Sequence, residues 1–151
     1  MVLVWGIRKQ GDSERVKRAR YLFKQLSSED AQIIVPSVVI AEFVTPCSSR
    51  REREEVVAKM RERFLIAPFD AKDAILAADL WTRGKKKREM GRRGSRVSLR
   101  ADALIVATAH NHGAHAFFTE DKNCFKMAEL VMEARPLPKI APDLFTDTEE
   151  D

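Results

Sequence analysis

Residues 99–111, LRADALIVATAHN, constrain this chain more than any other stretch, because they are apolar on nearly every side of a helix. A helix that is hydrophobic all round belongs inside a domain, so other elements must cover it from more than one direction. One turn into it stands a carboxylate, Asp102. A carboxylate taken out of water needs a hydrogen-bond partner, a cation or a proton. Gly113 follows where the C-terminus of such a helix needs a left-handed residue.

The rest of the chain supplies the cover. Residues 13–26 place Val16, Ala19, Leu22, Phe23 and Leu26 at helical spacing, with a basic outer face. Residues 31–35 form a short apolar run ending at Pro36, a pattern for a buried strand. Pro36-Ser37 then starts a helix over 38–44 that Pro46 ends. Residues 50–64 are highly charged, with Val56, Val57, Met60 and Phe64 forming one stripe. Residues 65–68 read as a second strand. A helix from 71 to about 82 follows, with Ala74, Ile75, Ala78 and Trp81 expected inward. Residues 84–98 hold three glycines among basic residues and are expected to be a loop or a frayed helix end. Residues 116–119 read as a third buried strand and 137–140 as a possible fourth. Strands alternating with helices predict an α/β fold with a parallel sheet covered on both faces. Ligands in such sheets bind beyond the carboxyl ends of the strands.

Two further acidic residues stand at such ends. Glu42 lies in an otherwise apolar helix, VVIAEFV, and Asp121 follows the strand residues Phe117-Phe118-Thr119. A hard divalent cation, Mg2+ or Mn2+, would relieve the charge of Glu42, Asp102 and Asp121 if they met. It would also orient water and stabilise an anionic phosphodiester transition state. Each residue has a plainer reading. Asp102 could complement the helix macrodipole, Glu42 could pair with Arg50, and Asp121 could cap the segment after it. The three together favour a site.

Composition narrows the alternatives. The 151 residues suit one domain, and 44% are hydrophobic, which excludes disorder throughout. No apolar run approaches bilayer length, and no signal peptide opens the chain, so the cytoplasm is the expected compartment and no membrane is involved. Cys47 and Cys124 make no disulfide framework and are expected as buried or idle thiols. His110, His112 and His115 do not converge on one face, so a zinc site is not expected. No glycine-rich phosphate loop is present. The net charge is +4, and its distribution says more than its sum. Lys85, Lys86, Lys87, Arg88, Arg92, Arg93 and Arg96 are opposed only by Glu89. Such a run is often just a solvated face, but its place ahead of Asp102 suits contact with RNA phosphates. Residues 143–151 are acidic and expected to be a disordered tail, leaving residues 1–142 as the domain.

With these residues in view, the segments IIVPSVVIAEFV and RADALIVATAHNHGAHAFFTED resemble the PIN (PilT N-terminal) domain family, particularly VapC-type bacterial toxins and their relatives. The resemblance implies a three-layer α/β/α sandwich and a metal-dependent ribonuclease. It implies Glu42, Asp102 and Asp121 as acidic positions of the Mg2+ or Mn2+ site, and Thr119 as the hydroxyl beside the last. Family members open with a strand running into an aspartate. That strand and that aspartate would lie upstream of Met1, so the chain is expected to be N-terminally truncated. Residues 2–5 pass for a strand by local propensity and for the start of the first helix by resemblance. The implied activity is endoribonucleolytic cleavage, with RNA as substrate and a cognate antitoxin and a homodimer as expected partners. The alternative is a catalytically impaired module that binds RNA or a protein partner without cleavage.

Overall fold

The computed structural model describes the backbone of residues 13–89 and 96–140, and the side chains of residues 13–84 and 99–140. The chain runs α1 (Ser13–Ser28), β1 (Ile34–Pro36), α2 (Ser37–Val44), α3 (Arg50–Arg61), β2 (Leu65–Ala67), α4 (Ala71–Glu89), α5 (Arg96–Asn111), β3 (Ala116–Phe118), α6 (Lys122–Ala128) and β4 (Glu133–Arg135). The ambiguous residues 2–5, Arg92, Arg93 and the acidic stretch 143–151 lie outside the described residues. No helix among those described is long and apolar enough to cross a membrane.

All strand pairing is parallel. Val35 stands opposite Ile66 in the β1–β2 pair, and Phe117 opposite Ala134 in the β3–β4 pair. Among the described residues these are two separate two-stranded sheets rather than one. The sandwich is written in the alternation of β3. Phe117 packs into the core formed by α4, α5 and α6, whereas Phe118 packs against Ala19 and Leu22 of α1 and against Leu137. Successive side chains of a strand point to opposite faces, so helices cover this strand on both sides. A further core joins Val35 of β1, Phe43 of α2 and Met60 of α3.

The nearly all-apolar helix is the hub: α5 packs against α4, α6, α2 and β1. Its end is a Schellman cap. Gly113 has φ 83°, its N–H donates to the His110 carbonyl, and Ala114 N–H donates to the Ala109 carbonyl, each at 3.0 Å.

Four expectations are corrected. Residues 84–89 continue α4 and 96–98 open α5, so the glycines of the basic stretch did not stop the helices where expected. The inward face of α4 is Asp73, Ala77 and Leu80, while Ala74 and Ala78 are exposed and Ile75 is 68% exposed. A buried aspartate had marked the wrong face as polar. Asp73 is fully buried because it is consumed by hydrogen bonds. Its Oδ2 accepts from Asp70 N–H at 2.9 Å and its Oδ1 from the Asn111 amide at 2.8 Å. Asp70 Oδ1 in turn accepts from the N–H groups of Lys72 and Asp73. This reciprocal cap ties the start of α4 to the end of α5. The last strand is Glu133–Arg135 rather than 137–140, because Leu137 is buried against α1 instead of joining a ladder. Finally, α6 had not been expected at all.

Candidate active site

The site is built where β3 ends. Thr119 N–H still donates to the Arg135 carbonyl at 3.1 Å, extending the strand register by one residue. The chain then turns. Asp121 N–H donates to Thr119 Oγ1 at 3.1 Å, and Asp121 becomes the N-cap of α6, with Oδ1 accepting from the N–H groups of Asn123 at 2.8 Å and Cys124 at 2.9 Å. The capping role weighed for Asp121 is therefore what its Oδ1 does, and its other oxygen remains for other chemistry.

Between them, Thr119 and Asp121 leave Glu120 pointing the other way. Its Oε1 accepts from Leu137 N–H at 2.8 Å and from Arg18 Nη2 at 3.1 Å. Arg18 also donates from Nε to the Pro138 carbonyl at 2.9 Å and from Nη2 to the Leu137 carbonyl. This half-buried ion pair, 18% and 23% exposed, fastens the turn to α1 and to the segment after β4.

The cap brings Cys124 into the first turn of α6, 6% exposed. Its thiol lies within electrostatic reach of Asp102 on α5 and of Asp121, and within hydrogen-bond reach of Asp102 and Thr119. Burial first, and then the negative charges of Asp102 and Asp121, push the Cys124 thiol well above its ordinary range, with the Thr119 hydroxyl acting in the opposite sense. Cys124 is therefore a protonated hydrogen-bond donor to Asp102 at neutral pH, not a thiolate. Asp102 is half-buried, and its Oδ2 atom is buried with no hydrogen bond to it from the described residues. It lies in the second turn of α5, which opens at Arg96, so the macrodipole reading loses weight.

Of the site residues expected from sequence, Thr119 and Asp121 share the turn after β3, and Asp102 acts with them on the thiol of a cysteine expected to be idle. The remaining residue is Glu42. It is exposed on α2, whose buried side chain is Phe43, because its apolar neighbours in the chain turn to the other faces of that helix. Its suggested partner Arg50 pairs instead with Glu54 at 2.8 Å. Among the described residues no three His, Cys, Asp or Glu side chains gather closely enough to hold a metal ion by themselves. A shallow groove lined by Lys72, Ile75, Leu76, Asp79, His110 and Asn111 lies near the Asp73 network, with none of these carboxylates in it. Of the histidines, His110 and His115 are exposed, and His112 donates from Nε2 to the Pro68 carbonyl at 3.0 Å.

Asp102, Asp121 and Thr119 would offer hard donors, two carboxylates and a hydroxyl, with the thiol kept protonated. Mg2+ characteristically takes one or two carboxylates, keeps several waters and completes its shell with substrate phosphates. These residues fit such a cation.

Comparison with known proteins bears on the fold and the family. No curated protein sequence matches the chain. Among solved structures, it is similar to FitAcB from Neisseria gonorrhoeae, with 21% identity over 88% of this chain and 91% of that one, at a TM-score of 0.55. It is likewise similar to VapBC2 from Rickettsia felis bound to a DNA fragment from their promoter, with 20% identity over 89% and 92% of the two chains, at a TM-score of 0.58. The family profile described as PIN domain matches residues 2–130, and the chain belongs to the PIN domain family.

Proposed function

We propose that this chain is a Mg2+- or Mn2+-dependent endoribonuclease, acting in the cytoplasm as the toxin of a toxin–antitoxin pair. Membership of a family whose members are generally nucleases supports hydrolysis of a phosphodiester. The observation that carries the reading is the convergence of Asp102, Asp121 and Thr119 around the Cys124 thiol. Asp102 and Asp121 would hold the cation, which when bound supplies positive charge for an anionic transition state and lowers the pKa of a coordinated water.

The chain's own residues prepare that chemistry. Cys124 keeps its proton and hydrogen-bonds Asp102 with it, orienting the carboxylate and keeping sulfur out of the donor set. The Thr119–Asp121 turn is held by Glu120 and Arg18, so the Asp121 carboxylate keeps one position without reordering on binding. Glu42 takes the outer part, orienting water rather than touching the cation. The likeness to VapBC2 supports a cognate antitoxin as partner, and a homodimer rests on the resemblance to VapC-type toxins alone. The basic run of Lys85, Lys86, Lys87, Arg88, Arg92, Arg93 and Arg96 supports RNA as substrate.

RNA cleavage with Mn2+, with chelator and by Asp102→Asn tests the reading. Cleavage by the parent chain that vanishes in both other arms is expected. Cleavage indifferent to chelator and to Asp102→Asn would remove the proposed chemistry. A second reading, a module that binds RNA or a protein without cutting, is favoured by one observation: no three candidate ligands gather among the described residues. RNA binding without any cleavage in Mn2+ would select it.

A further inference from the structure

Helices α4 and α5 form an antiparallel hairpin whose register is fixed at both ends. Asp73 bonds Asn111 at the open end. Towards the connection, Gly84 faces Leu99, and a Cβ there would meet it at 3.5 Å, an ordinary contact. Between these points the Arg100 guanidinium lies over the Trp81 ring, 4.8 Å from its centroid. Trp81 is half-buried and Arg100 is exposed. On α4, Lys85 and Arg88 follow Trp81 at the i+4 and i+7 positions, and on α5, Arg96 precedes Arg100 by four. Residues at these spacings share a helix face. The stacked pair therefore stands at the foot of the basic end of the hairpin.

From this we infer that the Trp81–Arg100 stack is a base-stacking platform for single-stranded RNA. The inference rests on RNA being the substrate, as proposed above. Cations alone would accept any polyanion. The flat element selects the class. A guanidinium laid on an indole keeps its outer face for a planar ring, and bases stack on arginine planes as they do on aromatic ones. An acidic peptide has no use for that plane, and an A-form duplex hides its base faces. Arg100 and Asp102 are two positions apart, which puts them about 160° apart around α5 at about 100° per residue.

The test uses the full chain carrying Trp5→Phe, so that Trp81 is the one tryptophan, in EDTA to suppress cleavage. Tryptophan emission is titrated with a 12-nucleotide oligoadenylate, with an abasic oligomer of equal length, and with polyglutamate. The oligoadenylate is expected to quench Trp81 and to bind roughly tenfold more tightly than the abasic oligomer, the scale of one base–aromatic stack. Arg100→Lys, which keeps the charge and loses the plane, is expected to abolish that difference while leaving abasic binding unchanged. Replacing Lys85, Lys86, Lys87 and Arg88 with Ser should weaken both oligomers alike and flatten their salt dependence. Equal binding of the two oligomers by the parent, no RNA binding at all, an Arg100→Lys variant that keeps the difference, or polyglutamate matching the oligoadenylate would each overturn the platform. Cleavage in Mn2+ by the same Trp5→Phe chain is scored separately, so a failed platform and a failed ribonuclease give different results.

Discussion

Asp121→Asn and Asp121→Ala are expected to differ in stability and to agree in activity. In the structure Oδ1 of Asp121 accepts two backbone N–H groups of α6, at 2.8 and 2.9 Å. Asparagine presents the same acceptor and is as good an N-cap, so Asp121→Asn loses only the charge facing the helix N-terminus, about 0.3–1 kcal/mol. Alanine loses the cap as well, adding about 1 kcal/mol. A domain of this size moves about 2–4 °C per kcal/mol. The melting temperature should therefore fall by about 1–4 °C for asparagine and about 3–8 °C for alanine, followed by circular dichroism. RNA cleavage in Mn2+ should be lost in both, because both remove the negative charge. Parental cleavage by Asp121→Asn would reduce Asp121 to a cap and refute the dual role. An asparagine variant melting as low as the alanine one would show that the cap geometry is not what holds α6.

The other expectations concern the framework around the site. Asp73→Ala removes the acceptor of the Asn111 amide and of the Asp70 N–H and should cost about 1–3 kcal/mol in urea denaturation, whereas a loss too small to measure would mean that the α4–α5 tie carries little. Gly113→Ala meets no atom within 4 Å of the added Cβ, so its whole cost is the left-handed backbone, about 1–2 kcal/mol, and Gly113→Asn should cost less. The raised pKa of Cys124 means that the folded chain holds this proton where the unfolded chain has released it. That contribution is complete below the unfolded thiol's pKa and is lost as pH rises above it, by at most about 1.4 kcal/mol per pH unit. Stability measured from pH 8 to 10 should fall in the parent and fall less in Cys124→Ser.

Much of this was legible because hydrophobic period and helix punctuation are local. The α5 hub, its Gly113 cap, and the helices α1, α2 and α3 follow from spacing, glycine and proline alone. What was not legible depends on partners distant in sequence. The inward face of α4 was misread because Asp73 scores as polar until Asn111, 38 residues away, bonds it. Strand β4, EAR, has no apolar signature, and only the register against Phe117 makes it a strand. At the site, the acidic residues stood out by context, but Cys124 did not. A lone cysteine gives no signal until Asp121 caps the helix that delivers it to Asp102. Glu42 erred the other way. Apolar neighbours in sequence suggested burial, yet on a short helix those neighbours occupy other faces, and the carboxylate is exposed.

Mn2+ binding followed by electron paramagnetic resonance, on the parent chain and on Asp102→Asn, tests most directly whether carboxylates brought together by α5 and α6 hold a hard cation. One saturable site in the parent, lost in the variant with the melting curve little changed, is the result expected. Equal Mn2+ binding by both chains, or no saturable binding by the parent, would contradict it.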